Sequence, residues 1–368
     1  MKNQLGRVFF FFLCILGAQA QITLPRDGNK QAMVSEHISN TEVTIDYSRP
    51  AVNGREGNIW GQLVHYGFAD LGYGTSKAAP WRAGANENTT IEFSTDVLIE
   101  GQPLPKGKYG FFIAMDVEKA TLIFSKFNTA WGSFYYVEKD DVLRVDVPLK
   151  KLDSLVERLT FSFVEQTENA AVVALDWEKL RIPFTVSVDI HKTQIESFRE
   201  EVNSGIFYRY WQNLHTAASY CLVNDMNLEE GLDWADRSIN SYFGEANFKT
   251  LSTYAGLLDK LNRKQEADSV MQSAFPMGSS EDLVNYGIDL NRNDEHKKAF
   301  DIFKMNLKSY PDDVYAHLGM VSGYFYTGNK KKAIQFCESA KTKTKDKNFV
   351  SYIDGVINDI NAGKEIFK

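Results

Sequence analysis

The hydrophobic period of this chain changes once, near His191, from alternation to a helical repeat of about 3.6 residues, and that change constrains the fold more than any motif does. From Ile22 to about Asp189 the apolar residues alternate, as in "TEVTIDYS", "TTIEFSTDVLI", "GKYGFFIAM", "ATLIFSKF" and "DVLRVDVPL". "ERLTFSFVEQ", "AAVVALDWE" and "LRIPFTVSVDI" continue the pattern, all rich in aromatic and β-branched residues that cover a pleated surface. Turn signals separate them, at Arg49-Pro50, Gly101, Pro105-Lys106-Gly107 and Glu168-Asn169. About eight short strands with no helical period between them predict an antiparallel sandwich of jelly-roll-like kind over residues 21–190. A doubly wound α/β fold would need helices that this region lacks.

Beyond His191, Ile195, Phe198 and Val202 fall on one helical stripe. A repeat follows. Gly231, Ala267, Ala299 and Ala333 each come after a polar turn and open a helix, at separations of 36, 32 and 34 residues. Leu290 and Tyr324, Asp294 and Gly328, Ala299 and Ala333, and Phe303 and Cys337 are each 34 apart, and Pro311 closes a unit in "YPDD". A small residue where two helices touch, Pro after the second helix, and this length together resemble the tetratricopeptide repeat, without its consensus Trp. The expected fold class is therefore α+β in two domains: an N-terminal β sandwich and a tetratricopeptide-like helical solenoid over residues 191–368. The resemblance implies a face that receives a protein or peptide partner. The competing reading is an array that only packs against the β domain or itself.

Residues 1–20 read as a signal peptide. Lys2 and Arg7 precede the apolar run "VFFFFLCILGA", and Ala18-Gln19-Ala20 offers the small-x-small pattern for cleavage after Ala20. Leu13 before Cys14 is not the small residue a lipidated Cys requires, so the expectation is an exported protein, periplasmic or secreted, without a lipid anchor. No later run reaches ~18 apolar residues, which predicts no membrane span after cleavage. Loss of Lys2 and Arg7 takes the formal net charge from −7 to −9. That balance argues against nucleic acid as a partner, since phosphate binding needs clustered cations. The lysine-rich stretches at Lys330–Lys332 and Lys341–Lys347 read as solvated helix ends and a loop. Cys221 and Cys337 lie in different repeats and read as buried free thiols.

Motifs of strong chemistry are missing: no His-Glu-x-x-His, no Cys-x-x-Cys, no Gly-x-Ser-x-Gly and no Walker loop. "GYGTSK" has phosphate-loop residues at the wrong spacing and reads as a loop, and Asp140-Asp141 reads as a turn before a strand. Neither a metal nor a cofactor is expected. Asn88-Thr89-Thr90 matches a glycosylation acceptor. What stands out is a polar-aromatic cluster running from Tyr47 to Glu87. Arg49, Arg55, Trp81, Arg82, Asn86 and Glu87 are the candidate binding residues: guanidinium forks for carboxylate or sugar oxygens, an indole for stacking, amide and carboxylate at fixed positions. Such a set could take a sugar or a small anion. If it were catalytic, as in a hydrolase of envelope glycan, Glu87 would act as acid or base with His65 as partner. The same residues could instead lock a corner, with Gly54, Gly57 and Gly61 making tight loops, Gly84 the turn maker and Arg82 paired with Glu87. Trp60, Trp131 and Trp177 are expected in the core.

"VTIDYSRPAVNGR", "WRAGANENTTIEFS", "LPKGKYGFF", "WGSFYY" and "ERLTFSF", in that order, resemble the domain-of-unknown-function 2911 family over about residues 31–189. Arg82, Gly84, Asn86 and Glu87 match its pattern. His65 stands where Pro is usual, and an insertion from about Phe68 to Ala79 separates two blocks. The resemblance implies an exported β domain of the kind found mainly in Bacteroidetes, and no reaction. The functional expectation is a non-enzymatic binding or scaffold protein, with an envelope hydrolase or a purely structural scaffold as alternatives.

Overall fold

The computed structural model describes residues 28–205 and 209–367; the expected signal peptide lies outside them. The chain divides between Gln194 and Ile195 into two compact units.

The first unit holds two antiparallel sheets. One has the order β1 (Lys30–Ile38), β2 (Thr41–Arg49), β3 (Thr90–Phe93), β6 (Gly107–Met115), β7 (Lys119–Ser125), β8 (Asp141–Pro148). The other runs β5 (Gln102–Leu104), β4 (Val97–Ile99), β10 (Ala170–Ser187), β9 (Lys150–Gln166). Alternation decides the inner face: Val43, Ile45 and Tyr47 on β2, Ile91 and Phe93 on β3, and Phe111 and Ile113 on β6 share one core with Phe161 on β9 and Trp177 and Phe184 on β10. β6 reads as almost continuously apolar because its outer face is covered too, Phe112 and Ala114 packing with Ile123 and Tyr136.

The ten strands among the described residues depart from the expected eight in four places, the short β5 (Gln102–Leu104) being one that the alternation does not mark. β1 was missed because its outer edge is polar and only partly buried. "TTIEFSTDVLI" breaks at Ser94–Asp96 into β3 and β4, which belong to different sheets. "AAVVALDWE" and "LRIPFTVS" join into β10 across an irregularity at Glu178, which sits in the left-handed region (φ 54°). The Glu178 carboxylate accepts from the Gly57 backbone N–H at 2.7 Å, so the kink ties a sheet to the long loop after β2.

Helices follow: α1 (Ile190–Glu201), whose first turn belongs to the first unit, and then, in the second, α2 (Trp211–Asn224), α3 (Leu228–Asn240), α4 (Phe248–Lys260), α5 (Lys264–Ala274), α6 (Ser280–Arg292), α7 (His296–Ser309), α8 (Val314–Tyr326), α9 (Lys330–Lys341) and α10 (Lys347–Ala362). Asn247 and Ser279 cap α4 and α6 with reciprocal side-chain bonds to Thr250 and Asp282. The repeat is visible as geometry. Asn262, Asp294 and Gly328, in the turns after α4, α6 and α8, all take positive φ (61°, 61° and 86°). Gly231, Ala267, Ala299 and Ala333 are buried on α3, α5, α7 and α9. Phe303 is the centre of one junction: its ring lies against the α-carbon surfaces of Gly287 on α6 and of Gly319 and Gly323 on α8. Cys221 and Cys337 are buried free thiols, pushed by burial up to about 11 and about 12.

Candidate ligand pocket of the β unit

The stretch Trp81–Thr89 enters from a backbone bridge, Trp81 and Ile113 exchanging N–H···O bonds of 2.9 and 2.8 Å. It then reverses through Ala83 (φ 51°) and Asn86 (φ 60°). Gly84 is therefore not the turn maker. It is glycine because a Cβ there would lie 2.9 Å from the Ser48 carbonyl oxygen and 3.0 Å from Thr89 Oγ1. Side chains spend themselves on the turn: Trp81 Nε1 donates to Gly84 O (3.2 Å), Thr89 Oγ1 to Ala83 O (2.9 Å) and Arg82 Nη1 to Asn86 O (2.8 Å).

The other arginines serve the backbone as well. Arg49 on β2 donates to Leu159 O and Thr160 Oγ1 on β9 (2.9 and 2.6 Å), pinning one sheet to the other. Arg55 donates to Val52 O and Ala51 O (2.9 and 2.7 Å), closing its own loop. Gly54, Gly57 and Gly61 take positive φ there, as the tight turns require.

Five of the candidate side chains nevertheless line one cavity of about 300 Å³: Arg55, His65, Trp81, Arg82 and Asn86. Trp81 and Trp177 also line it, stacked at 6.2 Å with 16° between planes, and Trp60 packs edge-on against both. Trp177 is core, Trp60 only half-buried, and the indole N–H groups of both lack a hydrogen-bond partner among the described residues. Arg82 is half-buried, with its guanidinium over the Phe134 ring at 5.0 Å. Gly132 rests on that guanidinium, where a Cβ would come within 2.7 Å of Arg82 Cζ. Burial lowers the Arg82 pKa below its ordinary value, with no carboxylate opposing the shift. Among the described residues no acidic side chain lines this cavity, which carries two guanidinium groups and an imidazole.

Arg49 does not line that cavity, and neither does Glu87. Glu87 lines a separate cavity of about 410 Å³ with Asp46, Lys108 and Trp131, so His65 and Glu87 do not share a site as acid and base. The Arg82–Glu87 pair is not formed either: the Arg82 bond goes to the Asn86 carbonyl. Trp131, expected in the core, is 61% exposed because it sits on a loop outside the sheet. Asn88 is buried, its Oδ1 accepting from Ala130 N–H at 2.9 Å while its own N–H donates to Ala130 O at 3.0 Å, so the glycosylation pattern is closed in the folded chain.

Asp141 proves more than a turn residue. It opens β8, and its Oδ2 accepts from Tyr136 Oη (2.5 Å) and Arg144 Nε (2.7 Å). Burial and that carboxylate raise the Tyr136 hydroxyl well above the usual tyrosine range. The aromatic run "FYY" before "EKDD" was the available signal. Among the described residues no group of three metal-ligating side chains gathers, and no helix is long and apolar enough to cross a membrane.

In the helical unit a cleft of about 300 Å³ opens between α4 and α6. Asp259, Asp268, Asp289 and Glu295 line it with Lys264 and Lys298, above an apolar base that includes Met271.

A two-sheet antiparallel β unit followed by helix pairs with a repeating left-handed turn defines the class: a β sandwich joined to a tetratricopeptide-like array. Over residues 29–186 the chain matches the family described as "Protein of unknown function (DUF2911)". No curated protein matches the chain. The helical region is similar to YrrB, described as a TPR protein with an unusual peptide-binding site, at 16% identity and a TM-score of 0.28, covering 45% of this chain and 83% of that one. It is also similar to MamA, at 12% identity and a TM-score of 0.29, covering 42% and 88%. For MamA from Desulfovibrio magneticus RS-1 the values are 14%, 0.27, 41% and 88%.

Proposed function

We propose that this chain is an exported, non-enzymatic binding and scaffold protein whose β unit holds a small anion and whose helical array docks a protein or peptide. The observation that carries the reading is Arg82. A half-buried guanidinium facing a carbonyl and a ring, with no carboxylate in its cavity among the described residues, has given up hydration without regaining a counter-charge from them. An anion entering between Arg55 and Arg82 restores that interaction, in a cavity where water screens it less than at the surface. Separation of His65 from Glu87 favours binding over acid–base chemistry, and the acidic cleft between α4 and α6 fits a basic segment of a partner.

The test is thermal melting of the mature chain with phosphate, sulfate and small mono- and dicarboxylates. A ligand at a hundredfold its Kd stabilises by about 2.7 kcal/mol, an effect that Arg82→Gln removes and Arg82→Lys weakens. A wild-type melting point unmoved by every anion would refute anion binding between Arg55 and Arg82. For the array, reversal of Asp268 and Asp289 to lysine should abolish capture of basic peptides. Unchanged capture would place docking elsewhere.

A further inference from the structure

We propose that the second cavity of the β unit, around Trp131, is a binding site for a neutral pyranose unit of a glycan. It is distinct from the arginine-lined cavity and does not depend on it.

The site is built on strands. Gln31 on β1, Asp46 on β2, Thr90 on β3 and Lys108 on β6 line it, on four strands adjacent in one sheet, with register pairs including Asp46–Thr90. Asn128, Thr129 and Trp131 line it from the loop after β7. That loop is held at several points. Asn88 exchanges bonds with Ala130, Asn128 Nδ2 donates to Lys108 O at 2.7 Å, Glu87 bridges to Trp131 through the backbone, and Gly132 rests on Arg82. The result is a large indole, 61% exposed, carried on a rigid support beside a concave polar floor.

Each part of that description matches the chemistry of a sugar. A pyranose offers a face of C–H groups to a flat aromatic surface and a rim of hydroxyls that both donate and accept. Trp131 supplies the surface. Asp46 and Glu87 supply acceptors, Lys108 a donor, and the amides of Gln31 and Asn128 both kinds. Gln31 Nε2 donates to Asp46 Oδ1 at 2.9 Å, which orients that carboxylate while Oδ2 carries no hydrogen bond among the described residues. The described lining carries charges of both signs, Asp46 and Glu87 with Lys108, unlike the arginine-lined cavity, and so fits a neutral sugar better than a sulfated or uronic one. The volume of about 410 Å³ lies within the range of small-ligand sites, roughly 300–1,000 Å³.

The experiment is calorimetric titration of the mature protein, with tryptophan fluorescence recorded in parallel. The probes are glucose, galactose, mannose and N-acetylglucosamine oligosaccharides in both α and β linkages. Wild type is expected to bind at least one of them with a change in emission. Trp131→Ala should weaken that binding about tenfold or more, Trp131→Phe should retain most of it, and Asp46→Ala should weaken it independently. Because Trp131 is exposed, the Ala variant should melt as wild type does, which separates loss of binding from loss of fold. Arg55→Gln, which alters the arginine-lined cavity away from the Trp131 loop, should leave sugar binding intact, so failure of the anion site and failure of this one are read apart. No binding across the panel, or binding that Trp131→Ala leaves unchanged, overturns the proposal.

Discussion

Replacing Gly287 in α6 and Gly355 in α10 by alanine sets one chemical change against two surroundings. Both glycines are helical, and in an exposed helix interior Gly→Ala gains about 0.8–1 kcal/mol of propensity. At Gly355 an added Cβ meets nothing within 4 Å, so that gain should appear undiminished. At Gly287 the Cβ would overlap the ring of Phe303, which is fully buried and has Gly319 and Gly323 against it as well. The ring cannot withdraw without displacing α8. Overpacking of this kind costs about 1–3 kcal/mol, and more where the neighbour is hemmed in, so the net expectation is about 1–2 kcal/mol of destabilisation. For a unit of this size each kcal/mol moves the midpoint by about 2–4 °C. Melting followed by far-ultraviolet circular dichroism should therefore show Gly355→Ala above wild type and Gly287→Ala below it. If Gly287→Ala matched Gly355→Ala, the close approach of α6, α7 and α8 around Phe303 would be wrong.

The two thiols should alkylate slowly in the folded protein and at ordinary rates in denaturant, since burial holds both far above the usual thiol pKa; fast labelling of the native chain would contradict their burial. Glu178→Ala should cost about 1.5–3 kcal/mol, because it removes the charge-assisted bond from the Gly57 N–H, while the left-handed φ of 54° stays as strained as with glutamate. Glu178→Gly should cost less, and equal losses in urea melting would mean the left-handed backbone carries no strain.

The two-part architecture was legible because each half has its own period and its own punctuation. Residues 34 apart, such as Asp294 and Gly328, proved to occupy equivalent turns, which follows from one helix-pair geometry being reused. Strand boundaries were less legible. β1 lies at a polar edge, and β10 passes through Glu178 only because Gly57, more than a hundred residues away, supplies the partner. The arginine-lined cavity was partly visible since Arg55, His65, Trp81, Arg82 and Asn86 come from one loop region. Its other walls, Ser133 and Trp177, come from distant strands and loops, which no local pattern reveals. Arg49 and Glu87 show the converse limit. Their residue types suited a site, but sheet pairing sent one to the β9 carbonyl and the other to a different cavity. Trp131 was misjudged for the same reason: an indole says nothing of which side of a sheet its loop lies on.

Asn88 carries a second chemistry besides its bond to Ala130. In a cell that glycosylates secreted proteins, Asn88-Thr89-Thr90 is offered to the transferase while still extended. A glycan there would occupy the place from which the amide holds Ala130, beside Gly110, which has no room even for a methyl group. β3 could not then close properly against β6. A host without that transferase imposes no such race between sugar and strand, so the buried amide that steadies the Trp131 loop is also a point where the fold and a glycosylation signal compete.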